Sequence, residues 1–102
     1  MVLLEFSVAP MGVGESVAPY VARCLRLVEE SGLDYRLHAM GTIVEGELPQ
    51  VLALMRACIE AVAADCQRVT CSAKIDVRAG HTGRLESKIA SVERELGRSL
   101  KR

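Results

Sequence analysis

Between Val69 and Arg78 apolar and polar side chains alternate without interruption: Val69, Cys71, Ala73, Ile75 and Val77 share one parity, and Thr70, Ser72, Lys74, Asp76 and Arg78 the other. A period of two belongs to a strand with one face toward a core, so this run predicts a half-buried strand over Arg68 to Arg78. Residues 2–9 repeat the pattern, with Val2, Leu4, Phe6 and Val8 on one side and Leu3, Glu5, Ser7 and Ala9 on the other, until Pro10, Gly12 and Gly14 break it. From Glu15 or Ser16 to Ser31 the period changes: Val17, Tyr20, Val21, Cys24, Leu25 and Val28 recur at helical spacing, and Gly32 follows as a left-handed stop. Leu33 to Ala39 and Thr42 to Glu47 read as two strands joined by a tight turn at Met40 and Gly41, where the glycine would accept a backbone angle costly to other residues.

A second helix opens at Pro49, whose missing N–H costs nothing in a first turn, and carries the stripe Val51, Leu52, Met55, Cys58, Ile59 and Val62 to an end near Ala64. After the Val69 strand, Gly80 and Gly83 punctuate, and Leu85, Ile89, Val92 and Leu96 mark a short amphipathic helix stopped by Gly97. The order strand, helix, strand, strand, helix, strand predicts an α+β fold: a ferredoxin-like βαββαβ sandwich with a four-stranded antiparallel sheet, plus a C-terminal helix. Right-handed crossovers put both main helices on one side of the sheet. The other side stays open, and it receives Glu5, Ser7, Arg36, His38, Thr42 or Glu45, and the polar row of the last strand. A face so mixed calls for a second subunit or a ligand, because burying unpaired ions costs several kcal/mol each.

At 102 residues the chain has room for one core, and residues 1–102 are read as a single domain. Half the residues are apolar, a quarter are charged and the formal charge is zero, so the composition is that of a folded domain rather than of a disordered or polybasic tail. Nucleic acid is not the expected partner: there is no large positive field, and one Phe with two Tyr make few stacking platforms. The run Met1 to Leu4 lacks a basic n-region, and no stretch approaches the ~18 apolar residues of a membrane span, so a cytoplasmic location and no membrane partner are expected. The spacings of Cys24, Cys58, Cys66 and Cys71 match neither a redox pair nor a zinc cluster; reduced thiols are expected, with Cys24, Cys58 and Cys71 buried and Cys66 the most exposed.

Candidate chemistry is sparse. The loop from Pro10 to Ser16 offers Gly12 and Gly14 before a helix, yet it lacks the third glycine of a dinucleotide fingerprint and the Lys-Ser/Thr of a P-loop, and Glu15 would repel a phosphate. His38 and His81 have no ligand at metal spacing, so no metal and no cofactor are expected. No serine sits in a nucleophile elbow. Pairs such as Glu86 with Arg84 or Lys88, and Glu93 with Lys88, read as a helix's wetted side. The constellation with most chemical content is Glu5, Ser7, Thr42, Glu45, Lys74 and Asp76 on neighbouring strands, where hydroxyls and carboxylates could grip a small heteroaromatic amine and offset a ring cation. Cross-strand salt bridging, Lys74 to Glu5 or Asp76 to Arg36, sealed between subunits, explains the same residues.

The stretches Glu5 to Val17, Tyr20-Val21-Ala22, Ser31 to Tyr35, Met40 to Gly46, Arg68-Val69 and Lys74 to Arg78, together with Lys88 to Glu93 in the tail, resemble the small thiamine-binding-protein family, the YkoF-like group. The resemblance implies a ferredoxin-like subunit that assembles through its sheet into dimers or tetramers and binds thiamine or its aminopyrimidine part. It implies Ser7 and the Met40-Gly41-Thr42 turn with Glu45 around the pyrimidine, with Lys74 and Asp76 as neighbours or interface partners. The expected function is therefore that of a non-catalytic carrier or sensor of thiamine or its hydroxymethylpyrimidine moiety, working as a homo-oligomer. The alternative is a structural or regulatory oligomer whose polar sheet face is only an interface. An enzyme of thiamine salvage ranks last, because no acid, base or nucleophile pair with activating neighbours can be named.

Overall fold

Four strands pair antiparallel in the order β2-β3-β1-β4, with β1 spanning Val2–Pro10, β2 Asp34–His38, β3 Gly41–Gly46 and β4 Val69–Val77. Helices α1 (Ala18–Ser31) and α2 (Leu48–Ala63) connect them, and α3 (Arg84–Leu96) follows β4. The computed structural model describes residues 1–14 and 17–101. It has the expected α+β, ferredoxin-like arrangement; the helix start anticipated at Glu15 or Ser16 lies outside the described residues.

Local chemistry sets the element ends. Gly32 adopts φ 73° and its N–H donates to the Glu29 carbonyl at 3.3 Å, which closes α1 with the left-handed residue that only glycine takes without strain. Pro49 occupies the first turn of α2, and the Glu47 N–H donates to Gln50 Oε1 at 2.9 Å. The chain turns at Ala39 and Met40, and Gly41 is the first residue of β3 with an ordinary φ. Its glycine requirement is different from the one expected: a Cβ there would meet the Phe6 carbonyl oxygen at 2.9 Å. Close approach of β1, not an unusual angle, excludes a side chain.

The core lies between the sheet and the layer of α1 and α2. Leu4 is paired with Val44 on one side and Ile75 on the other, and Leu4, Val28, Val44, Val51, Cys58 and Val62 are fully enclosed. Burying each such aliphatic side chain contributes about 1.5–3 kcal/mol. Beside this core, the Arg23 guanidinium grips the Asp65 carboxylate with two contacts of 2.9 Å and lies over the Tyr20 ring, tying α1 to the segment after α2.

Two expectations about β4 are corrected. Its inward parity is right at Val69 and Cys71, which are half-buried at the core margin, but Ile75 and Val77 are 41% and 65% exposed. β4 is an edge strand, and α2 packs mainly over β1, so the far end of the apolar row has no helix above it. Cys71 is accordingly half-buried, as is Cys66, while Cys24 and Cys58 are buried.

The C-terminal helix is not an appendage on the outside of the sandwich. It packs on β2 and β3, and the Arg84 N–H in its first turn donates to Glu45 Oε2 at 2.9 Å. Glu45 is opposite Leu3 and Asp34, on the sheet side away from Leu4 and Val44, so α3 covers one end of the face expected to be open.

Candidate functional site

Strand register arranges the non-helical face in rows. Asp76, Leu3, Glu45 and Asp34 form one, Lys74, Glu5, Ile43 and Arg36 the next, and Ser72 and Ser7 a third with Gly41 and His38 beyond. Opposed residues of antiparallel strands share a face, so these groups are neighbours by construction. Thr42 is not among them. It is opposite Phe6 and Leu37, hence on the helix side, and it is buried. Thr42 and Glu45 are three residues apart in one strand, an odd offset that places them on opposite faces; the expected single constellation is therefore split.

The first row is committed to α3. Besides Glu45 taking the Arg84 N–H, the Arg84 guanidinium is almost wholly buried and meets Asp76 Oδ2 at 2.7 Å and the Asp76 carbonyl at 3.1 Å. Lys88 Nζ adds a contact of 2.6 Å to the same carboxylate, and Arg36 pairs with Glu86. Lys88 and, next, Arg84 hold the Asp76 carboxyl below the usual carboxylate range. The charged residues of α3 expected to be a wetted face thus anchor it, and the expected Asp76–Arg36 bridge is replaced by these pairs. Glu45 and Asp76 border neither of the hollows described next.

At the other end the sheet stays accessible around the β2–β3 turn. A polar hollow of about 190 Å³ on the non-helical face is bordered by Glu5, Ser7, Met40, Ser72 and Lys74. Among the described residues Lys74 has no ion-pair partner, although Glu5 is its cross-strand neighbour. A second hollow of about 210 Å³ lies between the turn and α1, with Ser7, Met40, Gly41 and Thr42 along one side and Val21, Cys24, Leu25 and Leu37 supplying apolar walls. Each is smaller than the roughly 300 Å³ at which drug-sized sites begin, a size suited to one ring. Ser7 and Met40 border both. Met40 is 83% exposed, an apolar side chain left standing at the rim.

His38 fixes this rim. Its Nδ1 accepts the Met40 N–H at 3.2 Å and its Nε2 faces Glu5 Oε2 at 3.3 Å. An acceptor at Nδ1 requires the ring proton on Nε2, directed at the carboxylate. The imidazole thereby ties the turn to β1. Of the residues expected at a site, the structure brings together Ser7, Met40, Gly41, Thr42 and Lys74 at the two hollows and leaves Glu45 and Asp76 at the α3 end. Sequence reasoning missed the α1 wall; its signal was an apolar arc from Val17 through Val21 to Leu25, wider than the core stripe through Cys24 and Val28.

A family model described as "Thiamine-binding protein" matches residues 4–93. The chain belongs to that family. A UPF0045 protein of Mycobacterium bovis is 44% identical over 96 residues, covering 93% of this chain and 94% of the relative. A solved structure from Methanocaldococcus jannaschii is 33% identical with a TM-score of 0.83, over 89% of this chain and 94% of that one. A Thermotoga maritima protein suggested to act in thiamine biosynthesis or salvage has a TM-score of 0.77 at 20% identity, over 89% of this chain and 97% of that one, a likeness of fold. The likeness of backbone among these proteins makes the side chains at the hollows the informative variable. Among the described residues no group of three or more His, Cys, Asp or Glu is arranged to hold a metal ion, and no helix is long and apolar enough to cross a membrane.

Proposed function

We propose that this chain binds thiamine or its hydroxymethylpyrimidine part at the β2–β3 turn, as a cytoplasmic homo-oligomer that carries or senses the ligand without transforming it. The observation that carries this reading is the pair of ring-sized hollows sharing Ser7 and Met40, one apolar and one polar, in a member of the thiamine-binding family. An aminopyrimidine presents donors and acceptors at its edge and apolar faces. The α1 wall and Met40 suit the faces; the Ser7 and Thr42 hydroxyls and the Glu5 carboxylate suit the edge. A cationic ring reaching the polar hollow is offset by Glu5, and Lys74 favours an anionic substituent such as a phosphate ester. A binding role rather than catalysis is supported by His38, whose two nitrogens are already engaged by Met40 and Glu5, so neither is available as a general base.

Isothermal titration with thiamine, its phosphates and the free pyrimidine tests the reading. Saturable heat that falls about tenfold in affinity with Ser7→Ala supports it; no heat at millimolar protein removes it. The second reading, an assembly protein whose sheet face is only an interface, is favoured by Lys74, a cation of that face with no ion-pair partner among the described residues. Charge reversal at Lys74 should then dissociate the oligomer in light scattering with or without ligand.

A further inference from the structure

Cys24 in α1 and Cys58 in α2 meet where the two helices pack, and their sulfurs are placed reciprocally. Cys24 Sγ is 3.9 Å from the Cys58 carbonyl oxygen, and Cys58 Sγ is 3.8 Å from the Cys24 carbonyl oxygen. Each thiol thus points at the backbone of the other cysteine. Both are free in this structure, as are Cys66 and Cys71. The two sulfurs are not equivalent. Cys58 is fully enclosed, whereas Cys24 borders the apolar hollow beside Thr42 and Phe6 and so faces a space reachable from solvent. The neighbouring Cys58 thiol draws the Cys24 thiol below its ordinary range, and the Cys24 thiol together with burial pushes the Cys58 thiol far up. Both residues are buried, but Cys24 is the one at the wall of a hollow, and Cys58 lies directly behind it.

We propose that Cys24 and Cys58 are a peroxide-responsive dithiol, with Cys24 the residue oxidised first and Cys58 the one that closes a disulfide between α1 and α2. The Cys24 thiolate attacks one oxygen of hydrogen peroxide and breaks the O–O bond; the hydroxide released takes up the thiol proton as water and leaves a sulfenic acid on Cys24. The Cys58 sulfur then attacks Cys24 Sγ, the S–O bond breaks, and the departing hydroxide takes the Cys58 proton as a second water. Two thiols are oxidised by two electrons in all and one peroxide is reduced to two waters. A small-molecule thiol reverses the reaction. The other two cysteines are differently placed: burial raises the Cys71 thiol, and Cys66 Sγ is directed at Asp65 Oδ1 at 3.8 Å.

The test exposes the reduced full-length chain to hydrogen peroxide, alkylates the remaining thiols and maps peptides without reductant. The expected product joins the Cys24 and Cys58 peptides, is lighter by two hydrogens, reverts with dithiothreitol and raises the melting temperature by about 5–10 °C. Cys66→Ser and Cys71→Ser should both retain the cross-link, and Cys58→Ala should leave a sulfenic acid on Cys24 that dimedone traps. Peroxide that leaves Cys24 and Cys58 open to alkylation, or that links either of them to Cys66 or Cys71 instead, overturns the proposal on the wild-type chain alone.

Discussion

At one end of the non-helical sheet face the carboxylates of Glu45 and Asp76 meet an amide and two cations supplied by α3; at the other, Ser7, Ser72, Glu5 and Lys74 border a hollow that the chain leaves accessible. By residue type the two ends share a common element, since both offer carboxylates on neighbouring strands of the same face. What separates them is whether the counter-group comes from the same polypeptide. Where it does, a polar cluster is a fastening; where it does not, the hydrogen-bonding capacity is left for something else.

The largest effect that would sharpen this contrast is expected from Glu45→Ala. It strips an acceptor from the buried Arg84 N–H and should cost about 2–4 kcal/mol in urea denaturation, while affinity for thiamine changes less than twofold. A large loss of affinity with stability intact would invert the assignment of the two ends. Gly41→Ala should cost about 1–3 kcal/mol, because the new methyl meets the Phe6 carbonyl oxygen, and unlike the first change it should weaken binding too by shifting the turn. Ser7→Ala is expected to reduce affinity by about 1–1.5 kcal/mol with little change in melting temperature, measured by titration calorimetry and thermal shift on one preparation. Bound thiamine should slow alkylation of Cys24 several-fold, since Cys24 is in the wall of the apolar hollow; equal rates would move the ligand elsewhere.

The smallest effect concerns acid. Asp76 has a depressed carboxyl in the folded chain, so its contribution is complete above the unfolded carboxyl range near ~3.9 and is lost as pH falls through the lower folded value. Amide exchange in α3 should therefore accelerate below about pH 4, ahead of the amides of β1 and β3, and added salt should have the same sense because Asp76 is partly exposed. Simultaneous release of all three elements would mean that α3 is not separately fastened.

The element order, the stop of α1, the start of α2 and the parity of β1 follow from period, Gly32 and Pro49, because local steric or hydrogen-bonding limits decide each of them. Ile75 and Val77 illustrate the limit: alternation tells which way a side chain points and says nothing about whether a helix arrives to cover it. The docking of α3 was invisible for a related reason, since Leu85 and Ile89 announce an apolar stripe without naming its partner, and Arg84 sits outside the repeat that marks the helix. Thr42 was legible and misassigned, as its odd offset from Glu45 already precluded a shared face. Ser7 came from the alternation of β1, whereas Met40 and Gly41 came as site residues from resemblance rather than from periodicity. The α1 wall escaped because one helix face serves both the core and the hollow.

β4 is nine residues long and forms the margin of its sheet, so one of its flanks carries amide and carbonyl groups beside which no other strand of this fold runs. Such a border makes abundance a variable in its own right. Dilute chains keep that flank hydrated, whereas crowded ones gain by laying it against any extended backbone that comes near. Any association through that flank would then scale with how much of the polypeptide is present.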